Sequence, residues 1–179
     1  MSYIDMMVNK KLFLLRHAKS ELNPDFDDKD RILSTKGVID SELVGQYLTK
    51  LDSQPEYIIC SSAKRTLQTF QIISELLRKK TENYITDDLY NASLEEIIKI
   101  INDIPENFQN VMLIGHNPGI HNIATYLSSP SKESIYLKLL QSYPTSTLSI
   151  LNLNIVSWNK ARYQSGKLID LTEPKILKN

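Results

Sequence analysis

Two histidines and two arginines in this sequence each follow closely on a short apolar run, and that placement suggests chemistry. Leu12-Phe13-Leu14-Leu15 runs straight into Arg16-His17. Tyr57-Ile58-Ile59-Cys60 gives way to Ser61-Ser62, with Arg65 one helical turn further on. Val111-Met112-Leu113-Ile114 ends at Gly115-His116. Short apolar runs bounded by polar residues suit strands buried on both faces. In a parallel sheet the carboxyl ends of such strands share one edge, where ligands of open α/β proteins bind. His17, His116, Arg16 and Arg65 then converge on one mouth. Helices expected to begin near Ala63 and Pro118 add their positive dipole ends. The ligand for such a cluster is an anion, and phosphate best matches guanidinium forks and helix N-termini. A neutral imidazole is a competent nucleophile toward phosphorus. A second imidazole, when protonated, stabilises the transferring group or donates a proton. The arginines spread positive charge over the equatorial oxygens.

The elements that position these residues alternate between strand and helix. After the first strand, Ser20 to Thr35 reads as a loop, with Asn23-Pro24 and aspartates at 25, 27, 28 and 30. Ser34-Thr35 caps a helix of roughly Lys36 to Leu51, whose apolar face carries Ile39, Leu43, Val44, Tyr47 and Leu48. A second helix is expected from Ala63 to Lys80, with Leu67, Phe70, Ile73 and Leu77 on its inner side. Tyr84-Ile85-Thr86 suits a short strand. Ser93 with Glu96 makes a capping box ahead of Leu94, Ile97, Ile98 and Ile101. Asn117-Pro118 reads as a cap followed by proline at the first helical position, then a helix through Ile120, Ile123, Ala124 and Leu127. Ile135 to Leu140 suits a short helix. Strands are expected over Leu148 to Val156, around Trp158, and from Lys167 to Leu171. The alternation predicts an α/β three-layer sandwich, a mostly parallel sheet with helices on both faces. No linker or repeat interrupts residues 8–176, so a single domain is expected there.

Composition narrows the function classes. The chain has 179 residues, with Lys plus Arg and Asp plus Glu both at 21. That balance gives no global electrostatic case for nucleic acid or an anionic membrane. The one cysteine, Cys60, forms no internal disulfide. No run approaches the ~20 apolar residues of a membrane span. The N-terminus has no h-region of signal-peptide length. A cytoplasmic protein is expected.

Arg16-His17-Ala18-Lys19-Ser20 resembles the RHG-type signature of the histidine phosphatase superfamily. More closely, it is similar to the RHAKS variant of the SixA-like phosphohistidine phosphatases. Ser61-Ser62-Ala63-Lys64-Arg65-Thr66 resembles that family's serine-serine-to-arginine motif, with alanine where proline is common. Gly115-His116-Asn117-Pro118-Gly119 resembles its second-histidine motif, and Asp30-Arg31-Ile32-Leu33 its D-R-P-L element. Leu89-Tyr90-Asn91-Ala92, Pro144-Thr145-Ser146 and Glu173-Pro174-Lys175 are looser matches. The resemblance covers Lys11 to Lys175. It implies a phosphoglycerate-mutase-like fold, with His17 as the phosphorylated nucleophile and His116 as the second catalytic histidine. Arg16 and Arg65 would bind the phosphoryl oxygens, with Asn23 and Arg31 as further phosphate contacts. It implies no cofactor and no metal. Many superfamily members carry a glutamate acid after the third strand. Asp87-Asp88-Leu89-Tyr90-Asn91 offers no match, as in the SixA-like branch. Asp28 and Asp30 are nearby carboxylates to which no role is assigned.

Plainer readings compete at each position. A lone histidine after a strand is most often a structural hydrogen-bonder. Arg16 beside His17, and His116 after an equivalent strand, reverse that judgement. His121 reads as a surface residue, Cys60 as core, Lys64 as solvated, the Asp25 to Asp30 run as a solvated loop, and Lys175 and Lys178 as tail. The histidines lack the spacing of a zinc site. The expected substrate is a phosphohistidine-bearing protein domain, since no large insertion is present to form a lid. The alternative is a small phosphorylated metabolite hydrolysed at the same site. A mutase needs shielding from water that the chain does not offer. A non-catalytic phosphate-binding module would not need the nucleophile.

Overall fold

The computed structural model describes residues 10–22, 24, 25 and 27–178. Its elements follow in the expected alternation: β1 (Lys10–Arg16), α1 (Thr35–Thr49), β2 (Tyr57–Ser61), α2 (Lys64–Leu76) and β3 (Glu82–Thr86). Next come α3 (Leu94–Asn102), β4 (Asn110–Gly115), α4 (Gly119–Leu127) and α5 (Ser134–Gln141). The chain closes with β5 (Leu148–Leu153), β6 (Gly166–Thr172) and the single turn α6 (Pro174–Leu177).

The strands form one sheet in the order β3-β2-β4-β1-β5-β6. The first four in that order are parallel, and β5 runs antiparallel to both β1 and β6. Strand alternation splits the core in two. Leu12, Leu14, Val111 and Leu113 point to the layer with Ile97, Ile101, Ile120 and Ile123 of α3 and α4. Phe13, Leu15, Met112 and Ile114 point to the layer with Val44, Leu48 and Ile73 of α1 and α2. Each central strand is therefore apolar on both faces, which is why these runs show no polar alternation. This is the three-layer α/β sandwich that the pattern predicts.

Register aligns the strand ends. Leu15 pairs with Ile114, which pairs with Cys60, and Arg16 pairs with Gly115. Arg16, Gly115 and Ser61 therefore leave the sheet in one row. The next residue, His17, donates its backbone N–H to the Gly115 carbonyl at 3.0 Å.

Several local expectations shift. Helix α2 stops at Leu76, not Lys80, because Leu77 adopts extended angles and turns into the core. Its most buried stripe is Arg65, Thr66, Thr69 and Ile73. Leu67 and Phe70 are only partly buried against the core. The first turns of α2 face a polar cluster instead of the sheet. Helix α4 starts at Gly119, so Pro118 is its N-cap residue and not its first helical residue, and the Asn117-Pro118 bond is cis. Trp158 lies in a 3-10 turn, not a strand, fully buried with Nε1 on the Phe108 carbonyl at 2.9 Å. The capping box of α3 is present, with Ser93 and Glu96 exchanging side-chain to backbone bonds.

One glycine shows how the loop after His17 is held. A Cβ at Gly37 would lie 2.1 Å from the Lys19 carbonyl oxygen. That carbonyl also accepts the Ser34 backbone N–H and hydroxyl, so the loop docks on the first turn of α1. Gly37→Ala is expected to destabilise the protein by about 1–3 kcal/mol through overpacking. The urea midpoint measures this, and an unchanged midpoint counts against so tight a dock.

Candidate active site

The strand-end row brings four of the expected residues together. The His17 and His116 rings lie 5.0 Å apart, centroid to centroid. Arg65, only 4% exposed, reaches both of them. Its Nε donates to His17 Nε2 at 3.3 Å, and its Nη2 donates to His116 Nδ1 at 3.2 Å. His17 Nδ1 lies 2.8 Å from the Ala18 carbonyl. A carbonyl only accepts, so Nδ1 carries the proton and Nε2 keeps its lone pair toward Arg65. The Ala18 backbone N–H is held in turn by Thr69 Oγ1 at 3.1 Å. Thr69 thus anchors the residue that sets the His17 tautomer.

Arg16 is placed by the segment after α5. Its Nη1 donates to the Tyr143 carbonyl at 2.9 Å, which also accepts Asn117 Nδ2 at 2.8 Å. The Ser146 backbone N–H, in a left-handed conformation with φ of 59°, bonds the carbonyls of Arg16 and His17. Tyr143 is buried, with its hydroxyl on the Leu14 carbonyl at 2.7 Å. The Arg16 Nε is buried and has no hydrogen-bond partner among the described residues, a donor left over for an anion.

Arg31 makes no hydrogen bond to either histidine among the described residues, though its charge acts on His17. Its guanidinium bonds Asp28 Oδ1 at 2.8 Å, Ser20 Oγ at 2.7 Å and the Glu21 carbonyl at 2.9 Å. Asn23 lies outside the described residues. His121 is half-buried and not a surface residue, with Nε2 2.6 Å from the Leu139 carbonyl and its ring stacked on Tyr143. Lys64 remains 54% exposed but pairs with Asp30 at 3.1 Å. Lys175 pairs with the buried Glu173 and is no loose tail.

The aspartate run is where the largest correction falls. Asp28 opens a 3-10 turn and enters the cluster. Its carbonyl accepts Arg65 Nη1, and its Oδ2 accepts Arg65 Nη2 and the Tyr90 hydroxyl, both at 2.8 Å. The two sides of the Arg65 fork thus have separate tasks. The Nη1/Nη2 end is held by Asp28, and the Nε/Nη2 side faces the histidines. Tyr90 also stands edge-on to His116 at 5.4 Å. From the sequence, Asp28 is only a nearby carboxylate, Tyr90 and Ser61 stand only within matched motifs, and nothing is said of Thr69. The one available signal for Asp28 is its place two residues before the D-R-P-L-like Asp30-Arg31-Ile32-Leu33.

Charge follows from this packing. Burial, then the cations Arg65, Arg16 and Arg31, hold the His17 imidazole down at about 4 despite the opposing bond to Ala18. Burial, then His17 and Arg65, hold His116 at about 3. Both rings are neutral at pH 7. Burial pushes Asp28 up, but hydrogen bonds from Tyr90, Arg65 and Arg31 outweigh it and bring its carboxyl to about 2. Between pH 6.5 and 4 an unfolded histidine takes up a proton that the native ring refuses. Stability is therefore expected to fall as pH drops through that window, by up to a few kcal/mol for the pair at about 1.4 kcal/mol per pKa unit. Urea unfolding at pH 7 and pH 4.5 measures it; equal stability at the two values would show that the rings are not buried neutral.

Among the described residues no group of three His, Cys, Asp or Glu side chains could hold a metal ion. Among the same residues no helix is long and apolar enough to cross a membrane.

Comparison with known proteins agrees with this geometry. The family model of the histidine phosphatase superfamily (branch 1) matches residues 12–112. A SixA structure from Nakamurella multipartitia superposes with a TM-score of 0.81 at 22% identity, covering 92% of this chain and 96% of that one. SixA from Agrobacterium tumefaciens gives 0.77 at 28% identity, covering 93% and 99%. The protein histidine phosphatase SixA complexed with tungstate gives 0.76 at 18% identity, again covering 93% and 99%.

Proposed function

The chain belongs to the histidine phosphatase superfamily, and from that premise we propose that it is a phosphatase working through phospho-His17, with phosphohistidine on a protein as its substrate. The first step is attack of the His17 Nε2 lone pair on phosphorus, in line with the bond that breaks. The P–N bond to a substrate imidazole that carries a proton on its other ring nitrogen is cleaved, and its electron pair leaves with the ring as neutral imidazole. Water then attacks phospho-His17 and releases inorganic phosphate and the free ring. Arg16 and Arg65 bind the equatorial oxygens, where charge builds in both transition states. His116 meets the transferring group from the same side of Arg65 as His17, through Nδ1.

The observation that carries the substrate class is the state of the carboxylate in the cluster. Asp28 is ionised, held by Tyr90, Arg65 and Arg31 with its pKa near 2. It has no proton to give at pH 7, and neither neutral histidine has one to spare. An alkoxide leaving group needs such a proton in the transition state. A phosphohistidine ring already protonated on its far nitrogen leaves as neutral imidazole and needs no proton from the enzyme.

The test is a comparison of kcat/KM for a phosphohistidine-bearing protein, an aryl phosphate and a sugar phosphate. The phosphohistidine protein is expected to lead the sugar phosphate by at least about 100-fold, the scale of one missing acid catalyst. A preference for the sugar phosphate would replace this reading with a small-molecule phosphomonoesterase using the same residues.

A further inference from the structure

Ser61 ends β2 in the same row as Arg16 and Gly115, and it is fully buried. Its Oγ lies 2.8 Å from His116 Nε2. The opposite ring nitrogen, Nδ1, receives Arg65 Nη2 at 3.2 Å. A guanidinium has donors and no acceptor, so Nδ1 must present a lone pair. A neutral imidazole carries one proton, which therefore sits on Nε2 and is donated to Ser61 Oγ. Arg65 thereby selects one of two tautomers, because a hydroxyl can donate as well as accept; Ser61 Oγ accepts the Nε2 proton and fixes the ring about its long axis.

That choice has a consequence for phosphoryl transfer. The Nε/Nη2 side of Arg65 touches His17 Nε2 and His116 Nδ1 together. A phosphoryl group that takes over this side of the fork meets both nitrogens at once. We propose that Ser61 is a positioning residue for His116, accepting the Nε2 proton and so holding the ring in the tautomer that Arg65 sets, with Nδ1 presented to the phosphoryl group. The part that concerns phosphoryl transfer rests on the function proposed above; the tautomer itself does not. Any proton that His116 acquires during turnover is then taken up on Nδ1, beside the anion. The Nε2–H bond to Ser61 persists and stabilises the imidazolium. The groups around the ring are His17, Arg65 and Tyr90 on the site side and Ser61 behind it. Among these, Ser61 alone contacts Nε2 by a hydrogen bond in the described residues.

Nitrogen-15 NMR of the substrate-free protein at pH 7 tests the tautomer directly, with His116 assigned from a His116→Gln variant. Wild type is expected to show Nε2 protonated and Nδ1 not. Ser61→Ala is expected to keep the Nε2–H form, to expose that proton to faster exchange with water, and to lose about tenfold to a hundredfold in kcat/KM, the scale of a hydrogen bond to a charging group. Ser61→Thr, which keeps the hydroxyl, is expected to restore the slow exchange and most of the rate. A wild-type His116 protonated on Nδ1 overturns the proposal, whatever the variants do. So does a Ser61→Ala protein that loses activity while its Nε2 proton exchanges as in wild type, because Ser61 would then act only through packing. A chain with the predicted tautomers but no phosphatase activity would leave this tautomer assignment standing and defeat the proposed function.

Discussion

His17→Ala is expected to remove turnover almost completely, by a factor on the order of 10⁵–10⁶, the scale reached elsewhere when a covalent nucleophile is deleted. Two features of the site argue for an effect of that size. The Ala18 carbonyl takes the Nδ1 proton, so the reactive lone pair is confined to Nε2. Burial and three cations keep the ring at about 4, so nearly every molecule is nucleophilic at pH 7. A labelled phosphodonor supplies the direct readout. The wild-type protein is expected to trap acid-labile label on His17, and His17→Ala none. A variant that keeps more than about 1% of the rate would mean that water attacks the substrate directly, against the scale expected for nucleophile loss. Removing this neutral buried ring should also reduce the acid sensitivity of the fold, because one of the two suppressed protonations disappears. That second change shows that a loss of activity is not a loss of folding.

Much of this architecture can be read from residue types because the central strands are apolar on both faces and end abruptly in polar pairs. Leu12 to Leu15 and Val111 to Ile114 show no alternation, which marks buried parallel strands, and their ends place His17 and His116 in one row. What escapes reading depends on long-range contacts with no local pattern. Asp28 sits in a run of aspartates whose composition says only solvent. It enters the cluster because a 3-10 turn directs it to Arg65, which lies 37 residues away. Thr69 interrupts an apolar helix face, and periodicity reads such a position as noise. Here it marks, with Arg65, where α2 leaves the core and meets the site. Arg31 stands at a position the resemblance assigns to phosphate contact, and its bonds to Asp28, Ser20 and Glu21 carry no local sequence pattern. Residues 129–146 have no clear pattern, yet Tyr143 holds Arg16 by its carbonyl and Ser146 bonds the strand end. A motif names which residue types gather. It does not say which partners hold them still.

Arg65 is the place where such holding matters most, and its loss is expected to be the second largest. The guanidinium is nearly buried and works along both sides of its fork. One side meets His17 and His116, at 3.3 and 3.2 Å, where the phosphoryl oxygens would sit. The other is gripped by the Asp28 carbonyl and carboxylate. Removing one preorganised donor from a charge-stabilising site costs on the order of 10²–10³ in rate. Arg65→Ala should therefore lose at least that much in kcat/KM. Arg65→Lys should recover little of it. An ammonium is a point charge without the planar fork, and it cannot face the histidines while being held by Asp28. Both substitutions should also move the histidines. Arg65 is one of the cations that lower His17 and His116, so removing its charge raises both rings from about 4 and 3 toward their ordinary range. Lysine, which keeps a charge nearby, should raise them less than alanine does. NMR titration separates these outcomes from a folding defect. If Arg65→Lys keeps a third or more of the wild-type rate, charge alone suffices at this position, and the two-sided fork that Asp28 orients plays no part in catalysis.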